Sequence, residues 1–146
     1  MENLIGLSGE IHAFRMLQNT YGASTVSAST WVSGNSAHVF PDNKTDDGKG
    51  CDFVVILQGR THHIEVKASE GESESFTLGS SEIRLAMKLA KKSRRRMKEV
   101  FLILRVSNAL SAAPSFELLP NPYDQKYQAL FVIEEADARV RYRSKS

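Results

Sequence analysis

The sequence predicts an α/β domain in which a mixed central β-sheet is flanked by helices. Residues 3–21 and residues 80–92 each place apolar side chains at helical spacing. Between and after them lie short runs rich in Val, Ile and Phe, which are typical of strands. The alternation of helical and strand patterns favours a layered sheet with helices packed on it. A length of 146 residues suits one domain, and we assign residues 1–146 to it.

The N-terminal part of the chain is predicted as a helix, a strand and a long polar loop. Residues 24–33 alternate as a strand, and residues 34–50 are polar and rich in turn-forming types. Glu10 lies beside the apolar stripe of the first helix rather than opposite it, so it can point inward; a surface glutamate is the alternative. The stripe of that helix consists of Leu7, Ile11, Phe14, Met16 and Leu17.

The second half of the chain is predicted as a helix followed by strands. Ser80 or Ser81 can cap the helix, which runs to about residue 92, and Glu82 falls in its first turn, where the helix dipole favours an acid. Residues 100–106 are almost continuously apolar, which predicts a strand buried on both faces. Shorter strands are expected at 76–78, 116–119 and 129–134.

Composition excludes several classes of protein. No apolar run approaches the roughly 20 residues that a membrane span needs, and the N-terminus lacks the basic and apolar regions of a secretory signal. The single cysteine, Cys51, excludes an internal disulfide and a thiolate zinc cluster, and it suits a reducing cytosol. We therefore expect a soluble cytoplasmic protein with no membrane partner.

Residues 51–67 form the most informative segment. Two strand-like arms flank Gly59-Arg60, a pair that suits a two-residue type II′ turn. With that turn, Asp52 lies opposite Lys67, and Glu65 is the diagonal neighbour of Asp52. All three side chains then share one face of the sheet, because strand side chains alternate with a period of two.

Two neighbouring carboxylates point to a divalent cation. Asp52 and Glu65, with backbone or water oxygens, suit Mg²⁺, and Mn²⁺ would substitute. Such an ion generates hydroxide from bound water and stabilises negative charge on a phosphoryl oxygen. Lys67 can orient or deprotonate the attacking water, or hold the phosphate as a point charge. The alternative is a solvated strand face with an ordinary Glu–Lys ion pair.

Three further side chains are auxiliary candidates. His63 and Ser69 share the strand face of Glu65 and Lys67, so either can contact a phosphate, a leaving group or bound water. His62 faces the other way, so the two histidines cannot ligate one ion. Glu82 is first a helix-capping residue and second a candidate for supporting the site.

A cationic run follows the second helix. It can contact the phosphates of a nucleic acid, and the alternative is a solvated helix face. Beside a predicted phosphodiesterase site, a nucleic acid becomes the expected partner. The candidate binding residues are Lys91, Lys92, Arg94, Arg95 and Arg96.

The order Asp52, Glu65-Val66-Lys67, behind a helix that carries Glu10, resembles the PD-(D/E)xK nuclease superfamily. Cys51 stands where that superfamily often has proline, a position at which it tolerates change. Further motifs are similar in order to the nuclease-like domain at the C-terminus of the plant NO VEIN protein and its bacterial relatives. They are Gly9-Glu10, Cys51-Asp52-Phe53, residues 64–69, Phe76-Thr77-Leu78, Ser81-Glu82-Ile83, residues 101–110 and Pro120-Asn121-Pro122.

This resemblance implies a restriction-endonuclease-like fold and a Mg²⁺-dependent deoxyribonuclease. The implied metal ligands are Asp52, Glu65 and the carbonyl of Val66; Lys67 acts on the nucleophile, and Glu10 binds a second metal or its water. It also implies a bacterial restriction or phage-defence context with a helicase or ATPase module. The alternative is a nuclease fold that binds nucleic acid without cleaving it, against which the intact set of Asp52, Glu65 and Lys67 argues.

Overall fold

The structure is a computed structural model, and it describes residues 2–90 and 98–134. One four-stranded sheet in the order β1-β2-β3-β4 forms its centre. This mixed sheet with flanking helices confirms the predicted α/β fold and is consistent with a restriction-endonuclease-like domain. The elements are α1 (Glu2–Tyr21), β1 (Phe53–Leu57), β2 (Arg60–Ala68), α2 (Ser80–Ala90), β3 (Glu99–Ser107) and β4 (Ser115–Leu119).

Strand β2 is the centre of the arrangement, because it pairs antiparallel with β1 and parallel with β3. A parallel pair needs a crossover connection, and α2 lies in that connection. The parallel register places Glu65 beside Ile103 and Lys67 beside Arg105. Strand β4 then pairs antiparallel with β3 at the far edge of the sheet.

The two helices cover opposite faces of the sheet. Helix α1 packs on a core that includes Phe53, Ile64 and Leu104, whereas α2 packs on Phe101 and Ile103. Strand β3 is buried on both faces, as its apolar sequence predicts. Because side chains alternate along β2, Glu65 and Lys67 lie on the face that α2 covers.

The hairpin between β1 and β2 corrects the predicted turn. Leu57 pairs with Arg60, so the turn residues are Gln58 and Gly59, and both have a positive φ. Two positive φ values define a type I′ turn, whose twist matches that of the adjoining strands. The prediction of a Gly59-Arg60 turn is therefore wrong. The pairing moves by two residues, however, which preserves the face of every side chain because the period along a strand is also two.

Three predicted strands are absent from the described ranges. Residues 76–78 and 131–134 lie outside any strand, and a 3₁₀ helix occupies Gln125–Leu130. In place of a strand at 24–33, the chain has a 3₁₀ helix over Ala28–Thr30 and a single bridge from Trp31 to Phe53. The Trp31 ring stacks on Phe53 with centroids 5.5 Å apart, so packing within an aromatic cluster outweighs the local alternation of the sequence.

Helix α2 is described as far as Ala90, and the predicted DNA-binding residues follow it. Lys91, Lys92, Arg94, Arg95 and Arg96 lie outside the described residues. Over residues 2–90 and 98–134, no helix combines the length and apolar character that a membrane span requires.

Candidate active site

Asp52 is fixed beside β2 by backbone hydrogen bonds. Its N–H donates to the carbonyl of Ile64 at 2.9 Å, and its carboxylate Oδ2 accepts from the N–H of Val66 at 2.8 Å. Asp52 comes immediately before β1, where the ladder with β2 ends. Its side chain can therefore take a β2 N–H that no further β1 residue uses.

Asp52 and Glu65 form a carboxyl pair. Their side chains lie close enough to shift each other's pKa, and Glu65 is buried. Burial raises the pKa of Asp52, and the negative charge of Glu10 raises it further. Burial likewise raises the pKa of Glu65, with Asp52 adding to the effect. The pair is therefore an excess of negative charge that a proton or a cation would relieve.

Lys67 is held between two carboxylates. Its Nζ lies 3.1 Å from Oε2 of Glu65 and 2.6 Å from Oε1 of Glu82. Burial by itself would lower the pKa of Lys67, but the attraction to Glu65 and Glu82 outweighs burial and raises that pKa. Lys67 is thus an ammonium group in this arrangement, which favours a positioning or phosphate-holding role over deprotonation of water.

Glu82 reaches Lys67 from the first turn of α2. The N–H of Ile83 donates to the carbonyl of Gly79 at 2.9 Å, so Gly79, not a serine, occupies the N-cap. Glu82 is then the third helical residue, and its carboxylate accepts from the N–H of Gly79, as in a capping box. Burial works against its ionised form, but hydrogen bonds from Lys67 and Glu65 prevail and lower the pKa of Glu82. It therefore both caps the helix and pairs with Lys67.

Glu10 is held by three donors from the segment between α1 and β1. Trp31 Nε1 donates to its Oε1 at 2.9 Å, Ser33 Oγ donates to the same oxygen, and Asn35 Nδ2 donates to Oε2. Gly9 permits this placement, because a Cβ there would lie 2.3 Å from the Cβ of Ala68 on β2. The inward orientation is as predicted, but the three donors are not, since the sequence pattern predicts a strand end and a loop over residues 31–35.

His63 lies on β2 and Ser69 directly follows it, but the contacts of both side chains are with groups other than Asp52, Glu65 and Lys67. His63 Nε2 lies 3.1 Å from Oε1 of Glu99, and its Nδ1 lies 3.9 Å from Sγ of Cys51. Ser69 Oγ donates to the carbonyl of Gly71 at 2.6 Å and so closes a turn. Burial raises the pKa of Cys51 to about 12, with Asp52 and Glu65 adding to it, so the thiol is a buried neutral group.

Arg105 is a buried residue that sequence patterns alone did not single out. Its guanidinium donates to the carbonyls of Lys67 and Ser73, each at 2.8 Å, and lies 5.5 Å from the centre of the Phe76 ring. These contacts hold the connection from β2 to α2, and thus the position of Glu82. A signal was present, because Arg105 is the one charged residue within the apolar run 100–106.

The carboxyl oxygens of Asp52 and Glu65 are ligands of the kind that a hard divalent cation prefers, and they number two carboxylates rather than a full protein coordination shell. Within the described ranges, no group of three or more His, Cys, Asp or Glu side chains has the arrangement of a metal site. Asp52 and Glu65 do lie together, and the N–H of Val66 points toward Asp52. In a strand, the N–H and C=O of one residue point to the same side, so the Val66 carbonyl points to the side of β2 on which β1 and Asp52 lie. Mg²⁺ commonly takes one or two carboxylates and keeps several waters.

The comparison with protein families gave one match. The family model for the C-terminal region of protein NO VEIN matches residues 22–119, about two thirds of the chain. The chain therefore belongs to this family. The matched range contains Asp52, Glu65, Lys67 and Glu82, whereas Glu10 precedes it. No curated protein and no solved structure matched the chain.

Proposed function

We propose that this chain is a metal-dependent endonuclease domain that hydrolyses DNA phosphodiester bonds. The observation that carries the proposal is the closeness of two interacting carboxyl groups, those of Asp52 and Glu65, with the ammonium of Lys67 3.1 Å from Glu65. Two neighbouring acids with raised pKa values are costly to stability, and perturbed groups of this kind are concentrated at functional sites. A solvated strand face would not bury Glu65.

The family and the motif support the same function. The order Asp52, Glu65-Val66-Lys67 lies inside the range matched by the NO VEIN C-terminal family. It resembles the PD-(D/E)xK pattern, and the mixed sheet is of the type found in restriction-endonuclease-like domains. Membership of that nuclease superfamily is part of the proposal.

Asp52, Glu65 and the carbonyl of Val66 would hold Mg²⁺ or Mn²⁺. When bound, the ion would lower the pKa of a water and offset charge on the phosphoryl oxygen. The contribution of the protein is to hold the two carboxylates in place. The hydrogen bond from Val66 orients Asp52, and the strand orients Glu65.

Lys67 and Glu10 have supporting roles. The Lys67 ammonium would attract a phosphate oxygen or orient the attacking water, and its raised pKa keeps the charge available at neutral pH. Both oxygens of Glu10 accept hydrogen bonds from Trp31, Ser33 or Asn35, so Glu10 contributes a fixed negative charge near Asp52. A second cation or its water could bind through the remaining acceptor capacity of Oε2.

DNA is the proposed partner, with Lys91, Lys92 and the three arginines 94–96 as the phosphate contacts. A bacterial restriction or phage-defence context, a helicase or ATPase module in the same system, and a cytoplasmic location complete the proposal. These parts derive from the family resemblance.

The decisive experiment is a cleavage assay. The protein is incubated with supercoiled, linear and single-stranded DNA in Mg²⁺, Mn²⁺ or EDTA. We expect cleavage that EDTA abolishes and that Asp52→Asn or Glu65→Gln reduces by at least about 100-fold, since even residues that only support metal ligands contribute 10- to 100-fold.

Glu72→Gln is the matched control, because Glu72 is an exposed acid in the connection from β2 to α2. It should leave cleavage unchanged. Binding of DNA without cleavage in either metal would instead identify an inert nucleic-acid-binding module. Equal cleavage by the parent, Asp52→Asn and Glu65→Gln would show that the site is elsewhere.

A further inference from the structure

Lys67 has two carboxylate partners that belong to different elements. Glu65 lies on the same strand, two residues away, and its oxygen is 3.1 Å from Nζ. Glu82 comes from α2 on the far side of the β2–α2 connection, and its oxygen is 2.6 Å from Nζ. Only Glu65 also contacts Asp52, so only Glu65 belongs to the carboxyl pair that would hold a cation. The two partners of Lys67 therefore have different further roles.

The carboxylate of Glu82 is placed by the start of the helix. It accepts from the N–H of Gly79, the N-cap residue. A Cβ on Gly79 would lie 2.9 Å from Oε2 of Glu82, so the missing side chain leaves room for the carboxylate to fold back. This anchoring to the backbone does not involve Lys67 or Asp52. Glu82 also interacts with Glu65, and a cation at the Asp52–Glu65 pair would remove that interaction, but the bond to Gly79 would still hold Glu82 in place.

A cation at Asp52 and Glu65 would disturb Lys67 in two ways. It would take the oxygens of Glu65, and its positive charge would repel the nearby ammonium. Among the described residues, Glu82 would then be the remaining carboxylate within ion-pair distance of Lys67. Conversely, each contact of Lys67 with Glu82 reduces its competition with a cation for Glu65.

We propose that Glu82 is a positioning residue for Lys67: it holds the ammonium at the site when a divalent cation occupies Glu65, and by drawing the ammonium away from Glu65 it lessens the competition for that carboxylate and so strengthens cation binding. The inference rests on the cation site of the proposed function. Helix capping by itself would be a different role, and the two can be separated. Glutamine can also complete a capping box, so Glu82→Gln preserves the cap and removes the charge.

A double-mutant cycle tests the proposal through Mn²⁺ binding, which is measured by titration calorimetry on the full chain in the absence of DNA. The four proteins are the parent, Glu82→Gln, Lys67→Met and the double variant. We expect Glu82→Gln to weaken Mn²⁺ binding by roughly threefold to tenfold in the parent background, a typical coupling between residues in contact. In the Lys67→Met background, the same change should have less than about a twofold effect, because the competing ammonium is gone.

The control is Glu72→Gln, which removes one negative charge from the neighbouring connection without touching Lys67. It should leave Mn²⁺ affinity unchanged. An equal loss from Glu82→Gln in both backgrounds would overturn the proposal, because Glu82 would then act on the cation directly or through the fold. No loss in either background would overturn it as well.

Chemical labelling of Lys67 separates this proposal from the proposed function. Acetylation of Lys67 in metal-free protein is followed by peptide mass spectrometry against Lys126, which lies in the 3₁₀ helix Gln125–Leu130. Glu82→Gln should increase the labelling of Lys67 relative to Lys126, and Glu72→Gln should not. If Glu82→Gln lowers the folded fraction, Glu82→Asp provides the same test, since its shorter side chain cannot span the same distance.

A parent protein that binds no Mn²⁺ would overturn the proposed function and the claim that Glu82 strengthens cation binding. Labelling would then decide separately whether Glu82 positions Lys67. Unchanged labelling of Lys67 in both Glu82→Gln and Glu82→Asp would also overturn the claim that Glu82 positions Lys67.

Discussion

The backbone N–H of Val66 donates a 2.8 Å hydrogen bond to the carboxylate of Asp52. The strand that carries Glu65 and Lys67 therefore also positions the acid that immediately precedes β1. This hydrogen bond holds the carboxyl group of Asp52 beside that of Glu65, although burial raises the pKa of both groups, with Glu10 adding to the effect on Asp52 and Asp52 adding to the effect on Glu65. The response of the protein to mutation, pH and metal should follow from that arrangement.

Replacing Lys67 should affect turnover more than affinity. Lys67→Met removes an ammonium that is held within the site by two carboxylates, so we expect a lower kcat on DNA with a smaller change in binding. Single-turnover cleavage and fluorescence anisotropy measure the two quantities separately. Lys126→Met serves as the control, because Lys126 belongs to the 3₁₀ helix outside the sheet. A variant that loses affinity and keeps its single-turnover rate would assign Lys67 to binding alone.

The metal-free protein should lose stability as pH rises. The folded-state pKa values of Asp52 and Glu65 lie above their ordinary values of 3.8 and 4.5, so the folded state retains protons that the unfolded chain has released. Their stabilising contribution is therefore complete below about pH 4 and is lost as pH rises through the raised pKa values. In EDTA, Tm should fall between pH 5 and pH 9, with about 2–4 °C corresponding to each kcal/mol.

Two comparisons check the origin of this pH effect. Asp52→Asn keeps an acceptor for the Val66 N–H but removes one charge, so its Tm should change less over the same range. Mg²⁺ should raise the Tm of the parent most at the alkaline end, where protons no longer offset the pair. A parent Tm that rises from pH 5 to pH 9 in EDTA would contradict the assigned pKa shifts.

Arg105 should be a stability determinant. Arg105→Ala leaves the carbonyls of Lys67 and Ser73 without their donor and removes the contact with Phe76. We expect a loss of roughly 2–4 kcal/mol in the free energy of unfolding, because charged hydrogen bonds contribute about 1.5–3 kcal/mol. Chemical denaturation measures it. Arg84→Ala, at an exposed position of α2, should change that free energy by no more than about 0.5 kcal/mol. If Arg105→Ala lowers the free energy of unfolding no more than Arg84→Ala does, Arg105 does not stabilise the connection from β2 to α2.

The cationic run after α2 should bind the DNA backbone. Changing Arg94, Arg95 and Arg96 together to glutamine should weaken binding similarly for different DNA sequences, because interactions with phosphate carry no sequence information. The slope of log affinity against log salt concentration should become shallower by roughly 0.9 for each phosphate of duplex DNA that the variant no longer neutralises. Anisotropy titrations at several salt concentrations give the slope. An unchanged slope would mean that DNA approaches another surface.

Much of the fold could be predicted from local pattern. Helix α1, the helix after Gly79 and the buried strand β3 each repeat apolar residues over enough length to outweigh local exceptions. The prediction of a strand over residues 24–33 failed for the opposite reason. Its alternation is short, and the aromatic packing of Trp31 depends on residues distant in sequence, which no local window contains.

The sequence by itself determined that Glu65 and Lys67 share one face of the sheet and that Asp52 comes beside this part of β2. This prediction holds although the predicted Gly59-Arg60 turn was wrong, because a shift of two residues in strand pairing leaves each side chain on the same face. Tertiary structure alone decided the partners of these groups. Glu82 meets Lys67 because α2 crosses over the sheet, and Trp31, Ser33 and Asn35 meet Glu10 because α1 packs closely on β2 at Gly9. Parity along a strand is a local property of the backbone, whereas contacts between elements depend on how the whole core packs.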